Sequence, residues 1–368
     1  VLRRTVPGPI GLGTIPEKLR QLAAQSQGYY AREYWCLDPS GTNLYLFDGR
    51  RTVFEVARDV WATRSFGTHE NPAALERELH RYSLLAEVLD KGALAERIPP
   101  VIVTGDELLC ALRSLGIAPG EMLMVHCSLR SFGRVEGGAD TVIQALRDAV
   151  GPDGIVAMPA FTNCIEGGTG GPFDPHTTPV APWISAVAER FRTLPDTLRS
   201  IHPTHSVCAA GKNAAAFLSQ NEPYDCFAAD GPWGRLKDDG GKILLIGSAV
   251  GSNTFLHACE AWYLGYLDET IGLVACDGQI KHVRVTNYPG GCRGGWYKRG
   301  KNAPYFQALS SRGIFKTASV GCAELYLCSA EALACAMREI FAENPYILLH
   351  PDGCDDCARM KGKRDYGA

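Results

Sequence analysis

Three observations make this chain a layered α/β protein. From Val101 onward, apolar runs that read as strands alternate with segments of helical spacing, the pattern of helices packed on a central sheet. Three short segments, Met122–Gly138, Leu198–Gly211 and Lys242–Glu260, each set an apolar run against a polar, small-residue or His-bearing turn. We read the run as preceding the turn, which places ligand groups at the carboxyl ends of strands in an open sheet. Finally, 368 residues, 46% hydrophobic and 21% charged, suffice for a large core and for two domains in an ordinary globular protein.

The elements follow in order. Residues 1–97 read as a separate α+β extension. NLYLFDGRRTVFEV, residues 43–56, has two strands about a turn at Asp48 and Gly49, which predicts a hairpin. Asn71 to Arg97 carries apolar residues at helical spacing, with Asn71 and Pro72 as cap and first turn. No catalytic signature lies here, so the extension reads as structural or as a lid.

The main domain is expected over residues 98–368. Thr104 to Leu115 predicts a helix opened by a capping box, Thr104 with Glu107. Gly120 precedes a strand at Met122–His126. A helix is expected over Thr141–Val150, ended by Gly-Pro-Asp-Gly, and a strand over Ile155–Phe161. Gly167 to Pro182 is rich in Gly, Pro and Thr, a long loop of the kind that is often functional. Helices are expected at Ser185–Thr193 and Asn213–Ser219, a buried strand at Leu244–Ile246, and two strands over 268–286 joined at Asp277 and Gly278. A late amphipathic helix spans Ser329–Phe341, and no internal repeat is visible.

Composition excludes some functions. A net charge of −3 gives no electrostatic reason to expect nucleic acid or an anionic membrane. No apolar stretch approaches the ~20 residues that span a bilayer. The opening VLRRTVPGPIGLG lacks the apolar core of a secretory signal. Many of the 14 cysteines, such as Cys110, Cys208, Cys259 and Cys335, stand singly in apolar runs. They read as small buried hydrophobes of a cytoplasmic protein rather than a disulfide framework.

Chemistry concentrates in four places. In His126–Gly133, Ser128, Ser131 and Gly133 let backbone amides and hydroxyls approach an anion, and a helix follows. In RSIHPTHS, Arg199 offers a fork for phosphate or carboxylate. There His202, extended by Pro203, is either catalytic or a hydrogen-bonded turn residue. His205 and Ser206 follow at once, but a Ser–His pair in sequence does not define a hydrolase triad, which is a matter of geometry. In Thr254–Glu260, His257 and Glu260 are three apart and share a helical face, suiting general-base work on an amine. The plainer alternative is a packed His and a solvated Glu. Finally His350, Cys354 and Cys357 have zinc-ligand spacing, with a surface dithiol or a disulfide as alternatives.

In order and spacing these segments resemble the aminoglycoside 3-N-acetyltransferase family, over roughly Val101 to Cys357 and most nearly its apramycin-acetylating branch. The resemblance implies a mixed central sheet with helices on both faces. It also implies transfer of an acetyl or other acyl group from CoA to an amine of an aminoglycoside or a related metabolite. Ser128, Leu129, Arg130, Ser131, Phe132 and Gly133 would then hold the pantetheine and phosphate end of acetyl-CoA, with Arg199, His202 and Ser206 lining the cofactor cleft. His257 would be the base and Glu260 its orienting partner or a contact for the substrate ammonium. The similar ending of the apramycin branch implies a structural zinc on Cys292, His350, Cys354 and Cys357.

Two departures stand out. Cys127 occupies a position where the family commonly has Ser. The stretch Val283–Tyr297, where the family carries one or two further acids, contains no Asp or Glu. Asn287 or Cys292 is the nearest polar substitute, and Glu260 or Asp230 is expected to supply the missing carboxylate. A basic run, Arg293, Lys298, Arg299 and Lys301, follows in place of an acidic surface for a cationic aminoglycoside. Two other readings therefore stand: a biosynthetic acyltransferase fed by a carrier protein or a bulkier thioester, and a non-catalytic CoA- or metabolite-binding relative. The presence of both the cofactor loop and His257 favours an enzyme.

Overall fold

The computed structural model describes residues 2–4, 95–97, 101–248, 252–287, 303–349, 357–358 and 361. The chain divides into two compact units, Val1–Ile102 and Val103–Ala368. In the first unit, Leu2–Arg4 and Ala95–Arg97 pair antiparallel, Leu2 opposite Arg97. The helix expected over 71–97 therefore does not include Ala95–Arg97, which form a strand. Pro99 disfavours helical backbone at Ile98, and the three residues before it run extended. The expected hairpin over 43–56 and the rest of that helix lie outside the described residues.

The second unit is built on one sheet. Its strands are β1 (Met122–Cys127), β2 (Ile155–Pro159), β3 (Leu198–Arg199), β4 (Val207–Gly211) and β5 (Lys242–Ile246). After a separate hairpin, β6 (Asp268–Cys276) and β7 (Gln279–Asn287), come β8 (Lys316–Val320) and β9 (Ala323–Ser329). The seven sheet strands lie in the order β8-β9-β5-β1-β2-β4-β3. The central three, β5, β1 and β2, are parallel, with Met124 opposite both Ile243 and Ala157. The flanking strands β9 and β4 are antiparallel to them. The sheet is therefore mixed, as the resemblance implied.

Both faces are covered, which explains why its strands read as unbroken apolar runs. Leu123 and Val125 of β1 face one core with Leu244 and Ile246 of β5, while Met124 faces the other with Ile243 and Leu245. The first core is roofed by α1 (Gly105–Ser114), α2 (Ala139–Val150) and α3 (Ala186–Arg192). The second lies under α4 (Ala214–Leu218), α5 (Pro232–Asp238), α6 (Phe255–Leu264), α7 (Pro304–Ser311) and α8 (Ala330–Glu343).

The starts of α1, α3 and α8 carry side-chain caps, of which the Thr104–Glu107 box is the one expected. Thr104 accepts from Glu107 N while the Glu107 carboxylate accepts from Thr104 N at 2.8 Å, completing the capping box of α1. Ser185 caps α3 and Ser329 caps α8. The β6–β7 hairpin turns at Asp277 and Gly278, both with positive φ (52° and 73°), the backbone a two-residue hairpin turn favours.

One expectation is reversed. In Leu198–Gly211 the apolar run follows the His-bearing turn: Val207–Gly211 is β4, antiparallel to β2. The turn before β4 therefore lies at the same edge as the carboxyl ends of β1, β2 and β5. Among the described residues, no helix is long and apolar enough to cross a membrane.

Candidate active site

Four segments meet at that edge: 128–133 after β1, 160–166 after β2, 200–206 before β4, and the described residues 247–248 and 252–254 between β5 and α6. Backbone bonds stitch them together. Ser128 N donates to Ile246 O at 2.9 Å, Ala160 N to Ser206 O at 2.8 Å, and Thr162 N to Thr204 O at 3.0 Å.

The 128–133 loop is a short 3-10 turn, Leu129–Phe132. Phe132 is fully buried and anchors it in the first core. The Ser131 hydroxyl lies 2.7 Å from Gly247 O and 2.9 Å from Ser128 O, tying the loop to the end of β5. Gly247 has φ +56°, and a Cβ on it would stand 2.1 Å from Ser131 Oγ. Only glycine lets these segments approach so closely. Cys127 is buried in the first core, where burial pushes its thiol up to about 12. It acts as packing rather than as a nucleophile.

Helix α6 opens directly after the β5 loop. Asn253 Oδ1 accepts from Phe255 N at 3.1 Å and fixes its first turn. One turn in, the His257 ring meets Glu260: Nδ1 and Oε2 are 2.6 Å apart. The Glu260 side chain is only 4% exposed against 20% for His257. Glu260 is thus not the solvated helix residue of the plainer alternative. It is a buried carboxylate aimed at the imidazole, fixing the ring so that Nδ1 carries the hydrogen and Nε2 is left as the acceptor. Asp230, the other expected substitute acid, is engaged elsewhere, accepting from Asn221 N at 2.9 Å.

The 200–206 turn is packed with polar groups. Arg199 donates to Ser206 Oγ at 3.0 Å, to Ala160 O at 2.7 Å and to Thr178 O, with its guanidinium 4.9 Å from the centre of the Phe173 ring. Its donors are aimed into the protein, and Ser206 is fully buried, donating to Ala160 O. These two residues, expected at the cofactor, hold the loop after β2 in place instead. His202 is buried, and both its nitrogens face backbone groups, Nδ1 towards the amides of Thr204 and His205 and Nε2 towards the carbonyls of Tyr224 and Thr286. Neither nitrogen is left for a substrate proton, contrary to the catalytic expectation. Burial lowers the His202 imidazole to about 4.

His205 is buried between Phe161 and Phe227, with ring centres 4.7 and 6.1 Å away. Burial holds it well below the usual histidine range, and charge on His202 or His257 would push it lower still. No role was expected of His126, the penultimate residue of β1. It is buried 6.5 Å from the Trp233 ring, and burial lowers it to about 4. A histidine inside a buried apolar strand was the available signal.

The long loop 167–182 is irregular, as expected, and the β6–β7 hairpin rests on it. Leu273 N donates to Cys164 O at 2.9 Å and Phe173 N to Leu273 O at 2.8 Å. Of the expected zinc ligands, Cys292, His350 and Cys354 lie outside the described residues, as do the basic run and the Asn287 side chain. Cys357 is buried with Tyr266 and Leu349. Among the described residues, no group of three or more His, Cys, Asp or Glu is arranged to hold a metal.

Comparison with known proteins bears on this geometry. Residues 124–342 match the family described as aminoglycoside 3-N-acetyltransferase. Aminoglycoside N(3)-acetyltransferase IV of Salmonella sp is 38% identical over 154 residues, 42% of this chain and 57% of that protein. The match thus spans little more than half of that relative's length. The apoenzyme of aminoglycoside acetyltransferase AAC(3)-IVa is similar in structure, with a TM-score of 0.61 and 30% identity over 71% of this chain and 97% of that one. A histidine-to-alanine variant of it in complex with apramycin gives a TM-score of 0.59 and 28% identity over 69% of this chain and 98% of that one.

Proposed function

Since the chain belongs to the aminoglycoside 3-N-acetyltransferase family, we propose that it moves an acetyl group from acetyl-CoA to an amine of an aminoglycoside or a related amine-bearing metabolite. The observation that carries this reading is the His257–Glu260 pair, 2.6 Å apart, with the carboxylate buried and the imidazole partly open. His257 Nε2 takes a proton from the acceptor amine as its nitrogen attacks the thioester carbonyl. Glu260 stabilises the imidazolium that forms. The carbon–sulfur bond breaks, and the proton held on His257 passes to the departing CoA sulfur, so the products are an amide and a free thiol. The 128–133 loop, pinned to Gly247 through Ser131, is the donor side of the site. Its small residues bring backbone amides within reach of the pantetheine and phosphate groups.

Glu260 also accounts for the absent acids after Val283. Its position on the same helix face as His257 supplies a carboxylate that the family places on a later strand. The test is thiol release from acetyl-CoA, followed with a thiol reagent, over a panel of aminoglycosides that includes apramycin, with a no-acceptor control. Acceptor-dependent release that is lost in His257→Ala supports the assignment. CoA binding without release on any acceptor overturns it in favour of a binding protein or a carrier-dependent acyltransferase.

A further inference from the structure

His202 joins parts of the site that are far apart in the chain. Its Nδ1 accepts from Thr204 N at 3.2 Å and His205 N at 3.0 Å. Amides only donate, so Nδ1 is the bare nitrogen and Nε2 carries the hydrogen. That hydrogen is shared between Tyr224 O at 3.1 Å and Thr286 O at 3.2 Å. One neutral ring thus links the 202–205 turn, the 224–227 segment and strand β7. Other contacts tighten the same junction. Thr286 N donates to Tyr224 O at 2.9 Å. The Thr286 hydroxyl donates to Asp225 at 2.8 Å and accepts from Cys226 N at 3.0 Å. Gly272 of β6 is so close to Pro203 that an added Cβ would stand 2.5 Å from its ring.

These linked parts occupy one side of the site. The hairpin is bonded to the loops after β2, whereas the 128–133 loop is bonded to β5 and, through Phe132 O, to Cys322 N before β9. The bonds of His202 run only to the hairpin side. We propose that His202 is a positioning residue that fastens the β6–β7 hairpin and the 224–227 segment to the 202–205 turn, and so sets recognition of the acceptor amine without touching the reacting atoms. The words donor and acceptor here rest on the function proposed above.

The first test does not depend on activity. Backbone amide exchange, followed by mass spectrometry, is compared between the wild-type protein and His202→Gln. A glutamine amide keeps one acceptor and a donor but cannot serve all four partners. Faster exchange confined to 224–227 and 268–287, with 122–133 unchanged, is the expected result. Unchanged exchange, or acceleration everywhere, overturns the proposal. Thiol-release kinetics with apramycin form the second test. His202→Ala should raise the acceptor KM roughly tenfold or more while the acetyl-CoA KM stays within about twofold, and His202→Gln should recover most of the loss. A fall in kcat with both KM values unchanged would assign the ring to the chemistry instead. If the alanine variant does not fold, Thr286→Val loosens the same junction from the hairpin side and should show the same acceptor-specific rise. A wild-type protein that releases no thiol would sink the acetyltransferase reading alone, since the exchange result still decides the role of His202.

Discussion

Replacing Glu260 with glutamine removes a charge and little else. The side chain keeps its length, and its amide oxygen can still accept from His257 Nδ1, so the ring stays oriented. What disappears is the negative charge facing the imidazolium during proton transfer. The two groups are 2.6 Å apart at their nearest atoms, and the carboxylate is 4% exposed. Two unit charges about 4 Å apart in surroundings of effective permittivity about 20 attract by about 4 kcal/mol. A hydrogen bond to a charged group is worth about 1.5–3 kcal/mol net. Taking about 3–4 kcal/mol as the loss in the transition state, kcat should fall about 10²–10³-fold. The KM for acetyl-CoA should stay within about twofold, because Glu260 makes no contact with the 128–133 loop among the bonds described. The assay is initial-rate thiol release with saturating acceptor, accompanied by a thermal melt to confirm that the variant is folded. A folded Glu260→Gln enzyme that retains kcat within about threefold of wild type refutes the idea that this carboxylate does the work of the absent acids.

Two further outcomes follow from the same geometry. His126 and His202 stay neutral down to about 4 in the folded protein, against 6.5 for an ordinary histidine. Below pH 6.5 the unfolded chain therefore binds more protons than the folded one, so stability falls with pH through that window, by about 2 kcal/mol for each ring at pH 5. Urea unfolding at about pH 7.5 and pH 5 checks this, and an unchanged unfolding free energy would count against buried neutral rings. Gly247→Ala forces a left-handed backbone on alanine and a Cβ into Ser131. It should cost about 1–3 kcal/mol and raise the acetyl-CoA KM, read from a melt and a donor titration. An unaltered KM would dissociate Gly247 from the donor loop.

Much of the fold is legible in the chain because local chemistry agrees with it. The capping box at Thr104, the caps at Ser185 and Ser329 and the Asp-Gly turn of the hairpin each mark an element the structure contains. Strands β1, β2 and β5 read as apolar runs because both their faces are buried. Strand order and direction are not local properties. Nothing in Val207–Gly211 says that it runs against β2, so the His-bearing turn was assigned to the wrong end of its strand. The α5 helix, Pro232–Asp238, opens on a glycine without a side-chain cap, and its start signal, Pro232 at the first helical position, was not read. In the site, the i, i+3 spacing brought His257 and Glu260 together. The engagements of Arg199, His202 and Ser206 with backbone carbonyls and amides were invisible, because backbone partners leave no trace in side-chain identity.

The β6–β7 hairpin pairs with itself along its whole length, from Asp268 opposite Asn287 to Cys276 opposite Gln279. Successive residues of a strand point to opposite faces, so a shift of one residue would turn every side chain over. Insertions shared equally by the two strands at the tip, in steps of two, leave Gly272, in the middle of β6, and Thr286, near the base, as they are. The tip can therefore lengthen by such steps while α6 and the central sheet keep their register. On the proposed function, this gives the chain a place where the reach of the hairpin can change through paired insertions or deletions without rearranging His257 and Glu260.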